Sequence, residues 1–336
     1  MAQTPSREPG ETGSAFASPS DAALATRVSA ALIVNTRSRR GRRLYARAQE
    51  LLERGGVRLE HRHPVRDPRR LRESVRAAIA HGAQLVILGG GDGTISAVAN
   101  ELAHRDVVLG VLPLGTANSF ARTLGIPLAI EGAVEAILRS RLANIDLGRI
   151  GDHYFANTTA LGLSSAIAHS RLAALKRWLG PPSYALVGAA KLYSHRPFHC
   201  TLIEEERRTA LEALDVLIAN GRYQGGALAA PEASVESREL VIRIIKGPSK
   251  LNLLRAWMLT ALRRAPGPAL MERVRAADLR IETAPPQHVS IDGEVVGRTP
   301  IRVSVAPDAL KVIVGPDYPE RGPAGDAVEH AGAAVI

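Results

Sequence analysis

The residues best suited to chemistry lie in four short segments spread along the chain. Gly89-Gly90-Gly91-Asp92-Gly93-Thr94 leaves a buried apolar run, Leu85–Leu88, and enters a helical pattern. Glycines let backbone amides approach a phosphate closely, and a following helix terminus adds the positive end of its dipole. Thr94 can donate a hydroxyl hydrogen bond, and Asp92 can orient a donor or sit near a cation. A bare strand-to-helix turn explains the segment less well, because three consecutive glycines cost conformational entropy that a turn alone does not require. The spacing is neither a Walker A loop nor the dinucleotide Gly-x-Gly-x-x-Gly pattern. Gly115-Thr116-Ala117-Asn118 follows another apolar run, and Asn35-Thr36-Arg37-Ser38-Arg39-Arg40-Gly41 follows a third. Amides, hydroxyls and guanidiniums of this kind suit a polyphosphate. Far downstream, Asp292 and Glu294 straddle Gly293. On a tight turn both acids can face one cleft, where a carboxylate removes the proton of an attacking alcohol during phosphoryl transfer. Alone, such a turn reads as an ordinary hairpin tip with exposed acids; the upstream loops favour the catalytic reading.

These segments need a scaffold that brings distant turns to one place. From residue 30 to 145, short apolar runs alternate with amphipathic stretches. Ala30–Val34, Leu85–Leu88 and Val107–Leu112 read as strands. Arg42–Arg54, a helix capped at Asp67-Pro68 with Leu71, Val75, Ala78 and Ile79 in its stripe, Ile95–His104 and Ile130–Arg139 read as helices. Strand–helix alternation predicts a parallel sheet with helices on both faces, and loops at the carboxyl ends of its strands share one crevice. After residue 145 the rhythm changes. Leu147–Ile150 and His153–Phe155 flank Gly151-Asp152 as a hairpin, and Phe198–Ile203, Leu214–Ala219, Leu240–Ile245, Leu279–Thr283, Val289–Ile291 and Ile301–Val305 read as mostly antiparallel strands. Helical stretches are expected near Ser164–Leu179, Tyr184–Ser194 and Lys250–Arg263. The fold class is therefore α/β, with a nucleotide-binding domain over 28–145, which residues 306–315 rejoin, and a β-rich sandwich domain over 146–305. Residues 1–27 and 316–336 read as disordered tails.

Composition narrows the function classes. Of 336 residues, 46% are apolar, enough for a sizeable core, yet no apolar run is long enough to cross a bilayer. One cysteine, Cys200, forbids an internal disulfide and fits a reducing cytoplasm. The net charge of +10 comes almost wholly from arginine, dispersed along the chain as on ordinary solvated faces. Aromatics at 4% supply no stacking platform for nucleic acid. His61 with His63, and His195 with His199, lack neighbouring cysteines or carboxylates and read as surface histidines rather than metal ligands. In 249–264, Leu251, Leu254, Met258 and Leu262 form one helical stripe. Packing on the β domain is its favoured reading; resting on a membrane surface is the other.

Gly-Gly-Asp-Gly-Thr, Pro-Leu-Gly-Thr-Ala-Asn and the late Ile291-Asp292-Gly293-Glu294 resemble, in order and spacing, the diacylglycerol-kinase-like catalytic domain of bacterial diacylglycerol kinases, related lipid kinases and sphingosine kinases. The resemblance spans roughly residues 29 to 315. NAD kinases share the first motif but not the other two. The resemblance implies ATP with Mg2+, held by Asn35, Ser38, Arg39, Arg40, Gly41, Gly89 to Thr94, Gly115, Thr116 and Asn118. It also implies a lipid alcohol as acceptor, reached by a cytoplasmic protein that visits the membrane surface, and it leaves room for a homodimer. Of the acidic pair, one would take the proton and the other position it or contact the nucleotide, with Glu294 slightly favoured as the base.

The pattern departs from the family in three places. Asn-Glu commonly follows the first motif, where this chain has Ser96-Ala97; Ser119 stands where many members carry Asp. A segment that often reads Pro-x-Ala-x-x-x-Asp-Gly and helps bind a structural magnesium runs here Pro231-Glu232-Ala233-Ser234-Val235-Glu236-Ser237-Arg238. Serine is a poor magnesium ligand beside a carboxylate. Either Glu236 or Glu239 replaces it, or a side-chain network such as Arg238 with a glutamate does. A nucleotide-binding regulator without turnover, or a kinase of NAD or a sugar, is the alternative these departures leave open.

Overall fold

The computed structural model describes residues 24–37, 39–163, 165, 196–205, 207–247, 249–261, 266–292 and 294–319. The first part is built on β1 (Ala30–Asn35), β2 (Leu59–Val65), β3 (Leu85–Gly90) and β4 (Val108–Pro113), paired in parallel in the order β2-β1-β3-β4. Around them lie α1 (Leu24–Arg27), α2 (Arg39–Arg54), α3 (Arg70–Ala80), α4 (Asp92–Leu102), α5 (Ser119–Thr123) and α6 (Ile130–Arg139). The chain moves one way from β1 to β2 and the other way from β2 to β3 and β4. Right-handed crossovers therefore put α2 on one face and α3 and α4 on the other. β3 and β4, covered on both faces, are buried at every position, and such strands read as continuous apolar runs. β2 lies at the sheet edge and alternates buried Leu59 and Val65 with exposed or half-buried residues. Its composition, Leu-Glu-His-Arg-His-Pro-Val, carries no apolar run, so it escaped the sequence reading. α3 and α4 are tied by the buried carboxylate of Glu101, which accepts from Arg72 and Arg76, each at 2.9 Å.

The second part is antiparallel. β5 (Leu142–Ile150), β6 (His153–Phe155), β7 (Thr158–Gly162), β8 (Phe198–Glu204), β9 (Arg207–Ala219), β12 (Leu240–Lys246), β13 (Met271–Ala276), β14 (Asp278–Ala284), β15 (His288–Ile291), β16 (Glu294–Arg298) and β17 (Ile301–Ile313) build it, with a small hairpin of β10 (Tyr223–Gln224) and β11 (Ala227–Leu228). The order β16-β15-β7-β9-β8-β14-β17 continues through β4 into the parallel strands, so the sheet does not stop between the two parts. β17 joins them. Its first residues pair with β14, its Lys311 and Val312 pair in parallel with Val108 and Leu109 of β4, and β5 runs antiparallel along its length. The segments expected as two short strands, Ile301–Val305 and Leu310–Val314, are one strand with an irregularity between Ala306 and Leu310.

Two further differences concern the ends. Leu24–Arg27, expected within the tail, form α1, and the Ala25 amide donates to the buried Ser140 hydroxyl at 3.1 Å. Tyr318, also expected in a tail, is buried and its carbonyl accepts from Arg141 at 3.2 Å. The helices expected near Ser164–Leu179 and Tyr184–Ser194 lie almost wholly outside the described residues. The third is α7 (Lys250–Ala261), whose Leu253 and Ala256 pack against Leu214, Ile245 and Met271. Its Leu251 and Met258, members of the apolar stripe expected to pack inward, are 61% and 56% exposed. Among the described residues, no helix is long and apolar enough to cross a membrane.

Candidate active site

Because β1, β3 and β4 are parallel, their carboxyl ends share one edge, and three loops meet there. Asn35, the last residue of β1, donates from Nδ2 to Thr94 Oγ1 at 3.2 Å and accepts the Arg37 amide at 3.2 Å. Gly91 and Gly115 then pack backbone against backbone. A Cβ on Gly115 would stand 2.4 Å from Gly91 Cα, so any side chain would force the two loops apart. Asn118 holds the second loop closed: its Oδ1 accepts the Gly115 amide at 2.8 Å and its Nδ2 donates to the Gly115 carbonyl at 3.0 Å. It does so from a left-handed conformation that asparagine tolerates well. Asp92 completes the link, with Oδ1 accepting the Phe120 amide at the start of α5 at 3.0 Å.

Helix α4 begins at Asp92, three residues earlier than the apolar periodicity suggested, with Gly91 as its cap and no side-chain cap bond. The first amides of a helix have no partners within it, and they carry the positive end of its dipole. Gly93 is exposed in that first turn, and a Cβ there would meet nothing within 4 Å. A helix start of this kind can receive an anion on its free amides. Thr36, next to Asn35 in the chain, has a buried hydroxyl without a hydrogen-bond partner. Of the remaining loop residues, Gly89 and Gly90 are buried at the end of β3, Gly41 is buried in the first turn of α2, and Thr116 and Arg40 are exposed. Ser38 lies outside the described residues, and Arg39 is the first residue of α2.

The acidic segment approaches from the second part. Ile291 of β15 pairs with Glu294 of β16, and Asp292 lies where the chain turns between them. Asp292 has φ 46°, as such hairpin turns require. The tip is thus a hairpin in backbone terms, yet its position is not that of an exposed loop. The Asp292 amide donates to the Thr158 carbonyl of β7 at 3.4 Å, and its side chain lines a cavity of about 300 Å3 with Asp92, Ser119, Thr158, Tyr223 and Ser290. Burial pushes the Asp292 carboxyl up to about 7, the negative charges of Asp92 and Glu294 add to the rise, and a hydrogen bond from Ser96 opposes it. Glu294, in contrast, is exposed at the start of β16. A carboxyl that ionises near neutral pH, beside a helix start with free amides, can accept the proton of an alcohol as that alcohol attacks a phosphate.

Several residues here carried no signal in the sequence. Ser96 stood out only as a departure from the family pattern, yet it binds Asp292. Ser119, the second departure, accepts the Gly226 amide at 3.0 Å and so fixes the β10–β11 hairpin beside the cavity. Thr158, Ser290 and Tyr223 are common residue types in ordinary strand positions, and only the strand order places them at the cleft.

At the third departure, the segment is held by its own side chains. The Glu239 carboxylate lies 3.9 Å from Arg275, and the Glu236 amide donates to the Ser234 hydroxyl at 3.3 Å. Glu236 lines a cavity with Arg238 and Asp308. Arg238 instead joins two aspartates, Asp146 and Asp308, rather than a glutamate. Among the described residues, no group of three or more histidine, cysteine, aspartate or glutamate side chains is arranged to hold a metal ion.

Residues 29–150 match the family model of the diacylglycerol kinase catalytic domain, and residues 159–314 match that of the YegS C-terminal NAD kinase beta sandwich-like domain. The "Probable lipid kinase YegS-like" protein of Klebsiella pneumoniae (strain 342) is 32% identical over 246 residues, which cover 72% of this chain and 82% of that protein. Its namesake in Pseudomonas aeruginosa (strain PAO1) is 34% identical over 245 residues, covering 72% and 80%. A solved diacylglycerol kinase from Bacillus anthracis str. Sterne superposes with a TM-score of 0.67 at 19% identity, covering 86% of this chain and 97% of the other, a likeness of fold.

Proposed function

Because the chain belongs to the diacylglycerol kinase catalytic-domain family, and so is a kinase of the lipid-kinase class, we propose that it transfers the γ-phosphoryl group of ATP to the hydroxyl of a lipid such as diacylglycerol, with Asp292 as the proton acceptor. The observation that carries this reading is the meeting of Gly91, Gly115 and Asp92 with Asp292 across one cleft. The amides at the start of α4 would hold the phosphates, with the Gly115 loop packed beside them, and Asn35 and Thr94 would fix the first loop in place. Asp92 commits Oδ1 to the Phe120 amide and would turn its other oxygen to the Mg2+ that accompanies ATP. That ion neutralises charge on the phosphate oxygens when bound.

The acceptor hydroxyl would lie in the cavity beside Asp292. As its oxygen bonds to the γ-phosphorus and the bond to the β-phosphate oxygen breaks, its proton passes to the Asp292 carboxylate, and ADP leaves. Glu294, exposed and close enough to raise Asp292, acts on that group rather than on the hydroxyl. The lipid would arrive from a membrane surface on the cytoplasmic side. Supporting this, α7 turns Leu251 and Met258 outward on the same face as the exposed Arg255, and it packs beside β11, whose hairpin partner β10 lines the cavity. Incubation with Mg2+, labelled ATP and a panel of hydroxyl-bearing lipids in mixed micelles should label at least one lipid. Bound nucleotide with no labelled lipid, and label appearing in NAD or a sugar instead, would overturn the assignment.

A further inference from the structure

The magnesium that the family resemblance implies for the 231–239 segment does not fit the residues found there. Asp146, on β5, is 1% exposed and already satisfied. Its Oδ1 accepts the Asp308 amide at 3.0 Å and its Oδ2 accepts the Arg238 amide at 2.8 Å. The Arg238 guanidinium lies with Nε 3.6 Å from Oδ1, and its Nη2 donates to Asp308 Oδ2. Both amides are aimed at the carboxylate by left-handed backbone, φ 62° at Arg238 and 45° at Asp308. Ser237, which holds the position of the family's aspartate, turns its hydroxyl to the carbonyls of Ser234 and Glu239 at 2.8 and 3.0 Å. Magnesium needs about six oxygens at roughly 2.0–2.1 Å, and a guanidinium at this point repels it.

We infer that Arg238 is an internal replacement for a divalent cation, pinning the 231–239 loop and β17 to Asp146 without metal. The charge logic is the same for both. A carboxylate buried at the junction of β5 and β17 needs positive charge as well as amide donors, and a forked guanidinium supplies charge and hydrogen bonds together. The junction is not sealed from solvent. Arg238 and Asp308 line a cavity of about 390 Å3 with Asn144 and Tyr318, so ions can reach the cluster. Indifference to Mg2+ would therefore reflect the guanidinium, not shielding.

Thermal unfolding of the full chain, without nucleotide or lipid, tests this independently of catalysis. The wild-type Tm should be the same in MgCl2 and in EDTA. Arg238→Ala should lower Tm by roughly 5–10 °C, the size expected when a buried carboxylate loses its counter-charge, and Mg2+ should not restore it. Arg238→Lys, which keeps the charge but not the fork, should fall between. The double variant Ser237→Asp with Arg238→Gly should acquire a Tm that rises with MgCl2 and falls with EDTA. A wild-type Tm that drops in EDTA would overturn the inference. So would a double variant indifferent to Mg2+, since the position would then not be a cation's place.

Discussion

At the scale of single residues, the two acids differ in position. Asp292 alone lines the cleft, and its carboxyl is raised to about 7 by burial first and by neighbouring charge second. As a base it must be ionised, so kcat/KM should climb about tenfold per pH unit below 7 and level off above it. Asp292→Asn should lower kcat by about 10²–10⁴-fold, the usual share of a general base. Stability should move the opposite way. The folded-state value lies above the unfolded one, so the native protein holds an extra proton between about pH 4 and 7, and stability falls as pH rises through that window. The Asn variant escapes this cost, so its Tm at pH 8 should equal or exceed that of the wild type. A variant that loses activity and also melts earlier at pH 8 would mark Asp292 as structural. Glu294→Gln removes one source of the rise, so the rate should fall less than tenfold and the profile's midpoint should shift to lower pH. A loss at Glu294 as large as at Asp292 would return the base to the position that the sequence motif favoured. The motif Asp-Gly-Glu was legible as a pair of acids on a turn. Which acid faced the cleft was not, because that depends on β7 and α4, more than a hundred residues upstream.

At the scale of elements, the two glycine loops make opposite demands on space, and this separates binding from folding. Gly115→Ala places a Cβ 2.4 Å from Gly91 Cα, so it should cost roughly 1–3 kcal/mol of stability as well as ATP affinity. Gly93→Ala meets nothing within 4 Å and improves helix propensity by about 1 kcal/mol, so Tm should hold or rise while ATP affinity falls. Calorimetric titration with ATP beside a thermal melt reads both; unchanged affinity in Gly93→Ala would place the phosphates elsewhere. These loops were legible because glycines clustered at a strand's end weaken the chain unless a close approach of backbone demands them. So were β1, β3, β4 and α6, whose apolar runs or stripes match their burial. α7 shows the limit of that reasoning. Its apolar stripe gave the element, but Leu253 and Ala256 are buried against the β domain while Leu251 and Met258 are more than half exposed. Periodicity reports that a helix has an apolar side, not what covers it. If a bilayer does, Leu251→Glu with Met258→Glu should abolish flotation with vesicles containing anionic lipid, and leave Tm and hydrolysis-independent ATP binding unchanged. Retained flotation would remove α7 from the membrane contact.

At the scale of the whole molecule, the cleft exists because β5 and β17 belong to both halves. Leu147 and Leu310 pack in the core beneath the parallel strands, whereas Ile150 and Val303, on the same two strands, pack in the core of the antiparallel part. Neither half can keep its sheet intact if these strands leave, and the loop-bearing edge of β3 and β4 is fixed relative to the Asp292 turn through the same backbone. Sequence reading ended this strand at Val305 and returned a separate segment to the first sheet, whereas one strand, Ile301–Ile313, runs through both. The physical consequence is cooperativity. If β5 and β17 couple the halves, the most protected amides of β3 and β9, such as Leu88 and Val216, both fully buried, should exchange hydrogen through one global opening. Their exchange free energies should agree and show the same dependence on denaturant. ATP should then raise both by the same amount, since binding to the folded state stabilises whatever unfolds together. Two plateaus, with β9 opening at lower cost than β3 and only β3 responding to ATP, would mean that the halves unfold separately, and the cleft between them would have to be held by the ligand instead of by β17.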